Sequence, residues 1–245
     1  MKELEDYNWF PAVLRRWQME FIGHMVIWTH LYKPLVPEVQ QLVTAAAVTE
    51  LHDVCSGSGI PAIYIYKRLT SSLPLLLTDK YPDTGFKNIP GITYSLLPAD
   101  CNGIEPQSHV CYTLFNAFHH LSPTQQQGFI QRLVKNKAPF VIAEILEPGL
   151  VNLLKIIFTA TIVQLFTAPF IKPFSIARLF FTYIIPVNIV TVTYDGIISV
   201  LKSKRAAEYA LRFNSLANAS FAVTVNTING WTGNIVYLKG QPKKI

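Results

Sequence analysis

The chain has 245 residues, half of them hydrophobic and only 15% charged, with 21 basic against 15 acidic side chains. That length fits one large domain or a domain with a sizeable insertion, and the apolar content excludes disorder as the main state. Three cysteines in so long a chain exclude a disulfide-stapled scaffold, while a net charge of +6 permits an anionic partner such as a nucleotide, a nucleic acid or an acidic membrane surface.

The first six residues, Met1-Lys2-Glu3-Leu4-Glu5-Asp6, are acidic and lack the apolar core of a secretion signal, so a cytoplasmic protein is expected. Cys55, Cys101 and Cys111 show no metal-ligand spacing and read as reduced thiols, with no metal expected. Residues 8–45 carry Trp9, Phe10, Val13, Leu14, Trp17, Phe21 and Met25 at helical spacing. Pro34 and Pro37 interrupt that pattern, and a second helix is expected over 38–47.

From residue 50 the pattern changes to strand–helix alternation. Strands are expected at 50–54, 75–78, 93–97, 110–115 and 140–145, with helices at 60–69 and 123–136, the latter capped by Ser122. Such alternation indicates an α/β fold with a mostly parallel sheet. Residues 150–201 contain only Lys155, Lys172, Arg178 and Asp195 as charges. A helix is expected over 204–216. Residues 221–228 and 234–238 read as an antiparallel hairpin around Asn229-Gly230-Trp231-Thr232-Gly233. These changes divide the chain into an N-terminal helical cap (1–45), an α/β core (46–149 and 203–245) and an apolar helical insertion (150–202).

The run Asp53-Val54-Cys55-Ser56-Gly57-Ser58-Gly59 follows a strand and opens a helix. Small residues there let backbone approach a ligand, and the helix start offers unpaired N–H groups. Asp79 ends the next strand, where a carboxylate can hold ribose hydroxyls. Gly57-Ser58-Gly59-Ile60-Pro61-Ala62 also satisfies the G-x-G-x-x-G/A dinucleotide pattern, so a nicotinamide-dependent oxidoreductase is an alternative. A second alternative is a non-catalytic, membrane-associated protein that keeps the nucleotide fold.

The same run resembles motif I of the class I S-adenosylmethionine-dependent methyltransferases, with Cys55 where the family has its first glycine. Asp79 resembles the family's ribose-binding acid, Ala99-Asp100 the acid near the adenine, and residues 115–121 the segment bordering the methyl group. The terminal hairpin resembles the family's last two strands. The resemblance covers 45–147 and 205–240, and more loosely extends to bacterial methyltransferase-like proteins with an apolar segment before the hairpin. It implies a Rossmann-like seven-stranded sheet and S-adenosylmethionine as cofactor. It carries the cofactor cradle to Asp53, Cys55, Ser56, Gly57, Gly59, Asp79, Lys80, Asp100, Cys101 and Asn116.

Methyl transfer needs an acceptor placed in line and, for a hydroxyl or amine, a base. His119 and His120 follow the fourth strand and titrate near neutrality, so either could serve; either could equally cap the loop or face solvent. Glu144 ends the fifth strand and could enter the same crevice, or be a capping or solvated acid. Asp195 sits in an otherwise apolar stretch and needs a partner; the substrate and Arg178 are the two candidates. Cys101 and Cys111 are expected to pack.

The apolar segment allows three readings: buried core, a helical lid, or a monotopic insertion in a membrane interface with Lys155, Lys172, Arg178 and Lys202 near headgroups. Its uncharged runs are each shorter than the roughly twenty residues of a spanning helix, and prolines break them. An apolar lid implies an apolar small-molecule or lipid-like acceptor. Nucleic acid is not expected as a partner, because the basic residues are dispersed apart from Lys202 to Arg205 and Lys243-Lys244.

Overall fold

The computed structural model describes residues 1–230 and 232–243; Trp231 at the hairpin tip and Lys244 in the basic tail lie outside them. Helix α1 (Ala12–Trp28) starts directly after Pro11, and α2 (Val36–Ala45) follows a 3-10 turn at Lys33–Leu35. Pro37 therefore begins a helix instead of interrupting one, because a first-turn N–H has no intrahelical acceptor to lose.

Strand β1 (Glu50–Val54) leads through the glycine turn into α3 (Ile60–Tyr66). Strands β2 (Leu75–Thr78) and β3 (Ile92–Tyr94) follow, β3 ending three residues short of the expected range. Then come β4 (Val110–Phe115), α4 (Pro123–Lys135) and β5 (Phe140–Glu144). Ser122 caps α4 in a reciprocal box with Gln125. After the insertion, α9 (Ala206–Phe213) precedes the hairpin β6 (Phe221–Asn229) and β7 (Asn234–Pro242).

Among the described residues, seven strands form one sheet in the order β3-β2-β1-β4-β5-β7-β6. The first five are parallel, and β7 runs antiparallel to both β5 and β6. Every residue of β4 and β5 is buried, as expected for central strands covered on both faces. One face packs Leu35, Val39 and Leu42 against Leu51, Leu75 and Leu77. The other packs Phe129, Ile130, Leu133, Tyr209 and Phe213 against Tyr112, Leu114 and Phe140. Strand order reverses between β1 and β4, which opens a crevice at the C-terminal ends of the parallel strands.

The insertion comprises α5 (Leu150–Phe158), a π-turn (Thr159–Val163), α6 (Gln164–Thr167), α7 (Ile176–Tyr183) and α8 (Val187–Lys202). Leu150–Phe170 is one continuous 21-residue helical run with mean hydropathy 1.8, long and apolar enough by composition to cross a membrane. The uncharged runs stay short, but the helix itself is longer than they are. Lys155 does not interrupt the helix, and Pro169 falls in its final 3-10 turn. α7 and α8 meet at a 75° bend.

The buried-core reading fails for the outer faces of α5 and α7, whereas α8 buries Asn188, Thr191, Val192, Ile198 and Val200. α5 has no buried residue, and Leu154, Phe158, Ile162, Phe166 and Phe170, spaced by four, are all exposed. Ile176, Phe180, Tyr183, Ile184 and Ile185 are exposed as well. The insertion is held through α1 instead: Phe21 meets Ala160, Ile171 and Val192 in a small cluster, and Trp17 stacks on Phe181. Of the tryptophans assigned to the cap, Trp17 is buried, whereas Trp9 and Trp28 are exposed.

Candidate active site

One cavity of about 1150 Å³ occupies the crevice above the parallel strands, walled by the glycine turn, the ends of β2, β4 and β5, the insertion and the first six residues. Of the expected cradle residues, Cys55, Ser56, Gly57, Asp79, Lys80, Asp100, Cys101 and Asn116 line it. Asp53 and Gly59 do not; they build the turn from beneath.

Asp53 is buried and accepts a 2.6 Å hydrogen bond from Thr113 Oγ1 on β4. Burial outweighs that bond and pushes its carboxyl up to about 7. Ser56 Oγ donates to the Asp53 carbonyl and accepts from Thr78 N, which ties the turn to β2. Cys55, Gly57 and Gly59 all have positive φ (55°, 52° and 70°). Cys55 thus adopts the left-handed conformation that glycine takes without cost, so the departure from the family pattern keeps the shape of the turn. A Cβ on Gly59 would come within 2.6 Å of Leu77 Cδ1. Contact with Cys101 and burial hold the Cys55 thiol well above its ordinary range.

Asp79 closes the turn. Its Oδ2 accepts from Gly57 N and its Oδ1 from Tyr81 N, both at 2.7 Å. Burial raises its pKa against those two N–H groups. Tyr94 Oη donates to the Gly57 carbonyl at 2.7 Å. Asp100 caps the short turn after β3 by accepting from Asn102 N. Lys80 is exposed at the cavity mouth beside Tyr81. Asn116 has φ 51°, and its Oδ1 faces Ile145 N.

The opposite wall is polar in a different way. Glu144 is fully buried, so the solvated-acid reading falls: it accepts from Phe118 N and His119 N, and 2.6 Å separates its Oε2 from His119 Nδ1. His119 is buried, and its Nε2 has no hydrogen-bond partner. His120 is partly exposed and surrounded by acids. Its Nδ1 lies 3.0 Å from Asp6 Oδ1, and its Nε2 lies 3.2 and 3.5 Å from Glu3 and Glu5 carboxylate oxygens. Burial disfavours its charge, but the Asp6 bond and the carboxylates of Glu3, Glu5 and Asp6 prevail and push it up to about 9.

Asp195 lines the cavity but does not pair with Arg178. It accepts from Leu4 N, Glu5 N and Gln18 Nε2. Arg178 instead pairs with Glu20 and donates to the Ile171 and Pro173 carbonyls. Asp195 therefore anchors residues 3–6 as a strap across the cavity, and Lys202 reaches Glu3 and Asp6 from α8. The strap acids and Gln18 are the residues that sequence reading missed, while Lys202 and Arg178, expected near headgroups, turn inward to the strap and to Glu20. Three acids within four positions were the available signal, but their partners lie more than a hundred residues away.

No family model and no curated protein sequence matches the chain. Solved structures do. The human N-acetylserotonin methyltransferase in complex with SAM superposes with a TM-score of 0.56 at 11% identity, over 94% of this chain and 56% of that one. TnmH superposes with a TM-score of 0.51 at 14% identity, over 89% and 56%. The chain thus spans just over half the length of these two proteins. Sheet order, terminal hairpin and these superpositions together define the fold as the Rossmann-like fold of the class I methyltransferases.

Proposed function

We propose that the protein transfers a methyl group from S-adenosylmethionine to a hydroxyl of an apolar or lipid-like small molecule, working at the cytoplasmic face of a membrane. The observation that carries this reading is the two-sided cavity: a glycine turn with strand-end acids on one wall, and a buried histidine–carboxylate cluster on the other. The human neighbour of the same fold is a methyltransferase solved with SAM.

The residues present fit the cofactor. The turn is free of Cβ atoms at Gly57 and Gly59, and Asp79 and Asp100 stand along the cavity where a ribose and an adenine would meet them. Bound there, the cofactor supplies an electrophilic methyl on a sulfonium. Asp53 and Thr113 hold the turn rigid from below. The inner faces of α5, the π-turn and α8, with Ile156, Ala160 and Val192, exclude water and favour an apolar acceptor. The His119–His120–Glu3 cluster lines the cavity and orients the acceptor hydroxyl. The exposed apolar outer face of the insertion, with Lys172 exposed among it, supports contact with an acidic lipid surface.

Calorimetric titration with S-adenosylmethionine, S-adenosylhomocysteine and NADH tests the cofactor. Micromolar binding of both adenosyl compounds, lost in Asp79→Ala, is expected. Preference for NADH, or no adenosyl binding, overturns the reading in favour of an oxidoreductase or an empty nucleotide fold. Flotation with anionic vesicles tests the membrane arm, and a protein left wholly in the aqueous fraction removes it.

A further inference from the structure

Both histidines of the cavity wall have the same arrangement. Each has Nδ1 against a carboxylate: His119 on Glu144 at 2.6 Å, His120 on Asp6 at 3.0 Å. A carboxylate only accepts, so it holds a hydrogen on Nδ1 and turns Nε2 the other way, which in His119 leaves a lone pair there. In both residues Nε2 then points to one side chain, Glu3, at 3.8 Å from His119 and 3.2 Å from His120. The His119 Nε2 is fully buried and unpartnered. A lone pair facing a carboxylate oxygen in a buried site is unfavourable unless a cation stands between them.

We propose that Glu3, His119 and His120 form a binding site for a divalent transition-metal ion, zinc in the first instance. Their ligand atoms lie within 4.8 Å of one another. The separations of 3.8 Å from His119 Nε2 to Glu3 Oε1 and 3.2 Å from His120 Nε2 to Glu3 Oε2 are close to the roughly 3.4 Å edge of a tetrahedron with bonds of about 2.1 Å. Two imidazoles and one carboxylate are a zinc ligand set that leaves a fourth position open, and here that position faces the cavity. Glu144 and Asp6 are the outer carboxylates that fix the rings, as metal-bound histidines require. The carboxylates of Glu3, Glu5, Asp6, Glu144 and Asp195 gather here, and among the described residues Lys202, 3.0 Å from Glu3, is the one lysine or arginine paired with them. The fourth position would take water or an acceptor oxygen. The site stands on its own geometry, and its occupancy does not depend on the cofactor reading.

The test is zinc titration of the chelator-stripped full-length protein in competition with a chromophoric chelator, with cobalt as a second probe. One ion per chain is expected, with a dissociation constant below about 1 µM and a tetrahedral cobalt spectrum. Glu3→Gln should weaken binding at least tenfold, and His119→Gln with His120→Gln should abolish it. Asp6→Asn, on the part-exposed strap, should weaken it by roughly 10- to 100-fold while the fold is unchanged by circular dichroism. Absence of binding at micromolar zinc overturns the proposal. So does unchanged affinity in the double histidine variant, or loss of the ion in Cys101→Ser, which would place it at the thiols. Adenosylmethionine titration of the same samples separates failure of this site from failure of the cofactor reading.

Discussion

Helices α4 and α5 are near neighbours in sequence and both are amphipathic, yet they present their apolar faces in opposite senses. α4 turns Phe129, Ile130 and Leu133 onto the sheet, where each is fully buried. α5 and its continuation turn Leu154, Phe158, Ile162 and Phe166 outward. The inner side of α5 instead carries Asn152, Lys155 and Ile156 to the cavity. Amphipathicity therefore says that a helix separates two environments, but not which one is water. For α4 the second environment is the core. For α5 nothing among the described residues covers the apolar face, which is the basis of the proposed lipid contact.

The comparison is broken most severely from the inside. Phe129→Ala should lose about 3–5 kcal/mol in denaturant unfolding, since the cavity beneath α4 cannot collapse against the sheet. Next comes the tie that holds the outward-facing region to the body. Arg178→Ala leaves Glu20 without its cation in a largely buried place and should cost about 3 kcal/mol. Limited proteolysis should then cut the α7–α8 bend before any core strand.

A smaller effect separates core from insertion by pH. The folded-state pKa of Asp53 lies above its unfolded value, so the stability it allows is full below about pH 4 and is lost as pH rises through about 7. Asp53→Asn keeps an acceptor for Thr113 and removes the penalty. The variant should gain about 2 kcal/mol over the parent at pH 8 and nothing at pH 4, measured by unfolding at both. The smallest stability change belongs to the outer face. Phe158→Asp should alter unfolding by less than about 0.5 kcal/mol, yet reduce vesicle partitioning about tenfold by removing one buried aromatic from the lipid contact. A large stability loss instead would mean that this face is covered within the protein.

Much of the fold was legible because local signals agreed. The strands β1, β2 and β4 are short apolar runs between turn residues, and Ser122 with Gln125 marks the start of α4. The nucleotide-side wall was legible for the same reason: the turn and the acids of β2 and β3 follow their strands directly. The other wall was not. His120 meets Asp6 across 114 positions, and Asp195 meets Leu4 across 191. No periodicity encodes such pairings. The expectation that Asp195 pairs with Arg178 treated nearness in sequence as nearness in space. The 75° bend between their helices, and Glu20 on α1, send the arginine elsewhere.

The long reach of these contacts also sets an order of events at the ribosome. Asp195 closes on Leu4 across 191 positions, and Arg178 on Glu20 across 158. At roughly 5–20 residues per second, the strap and α1 wait on the order of 10–40 s before their partners have been synthesised. Throughout that interval the aromatic face of α1 has no insertion to cover it. The nascent protein must be shielded there, or the sheet must fold first and recruit both ends late.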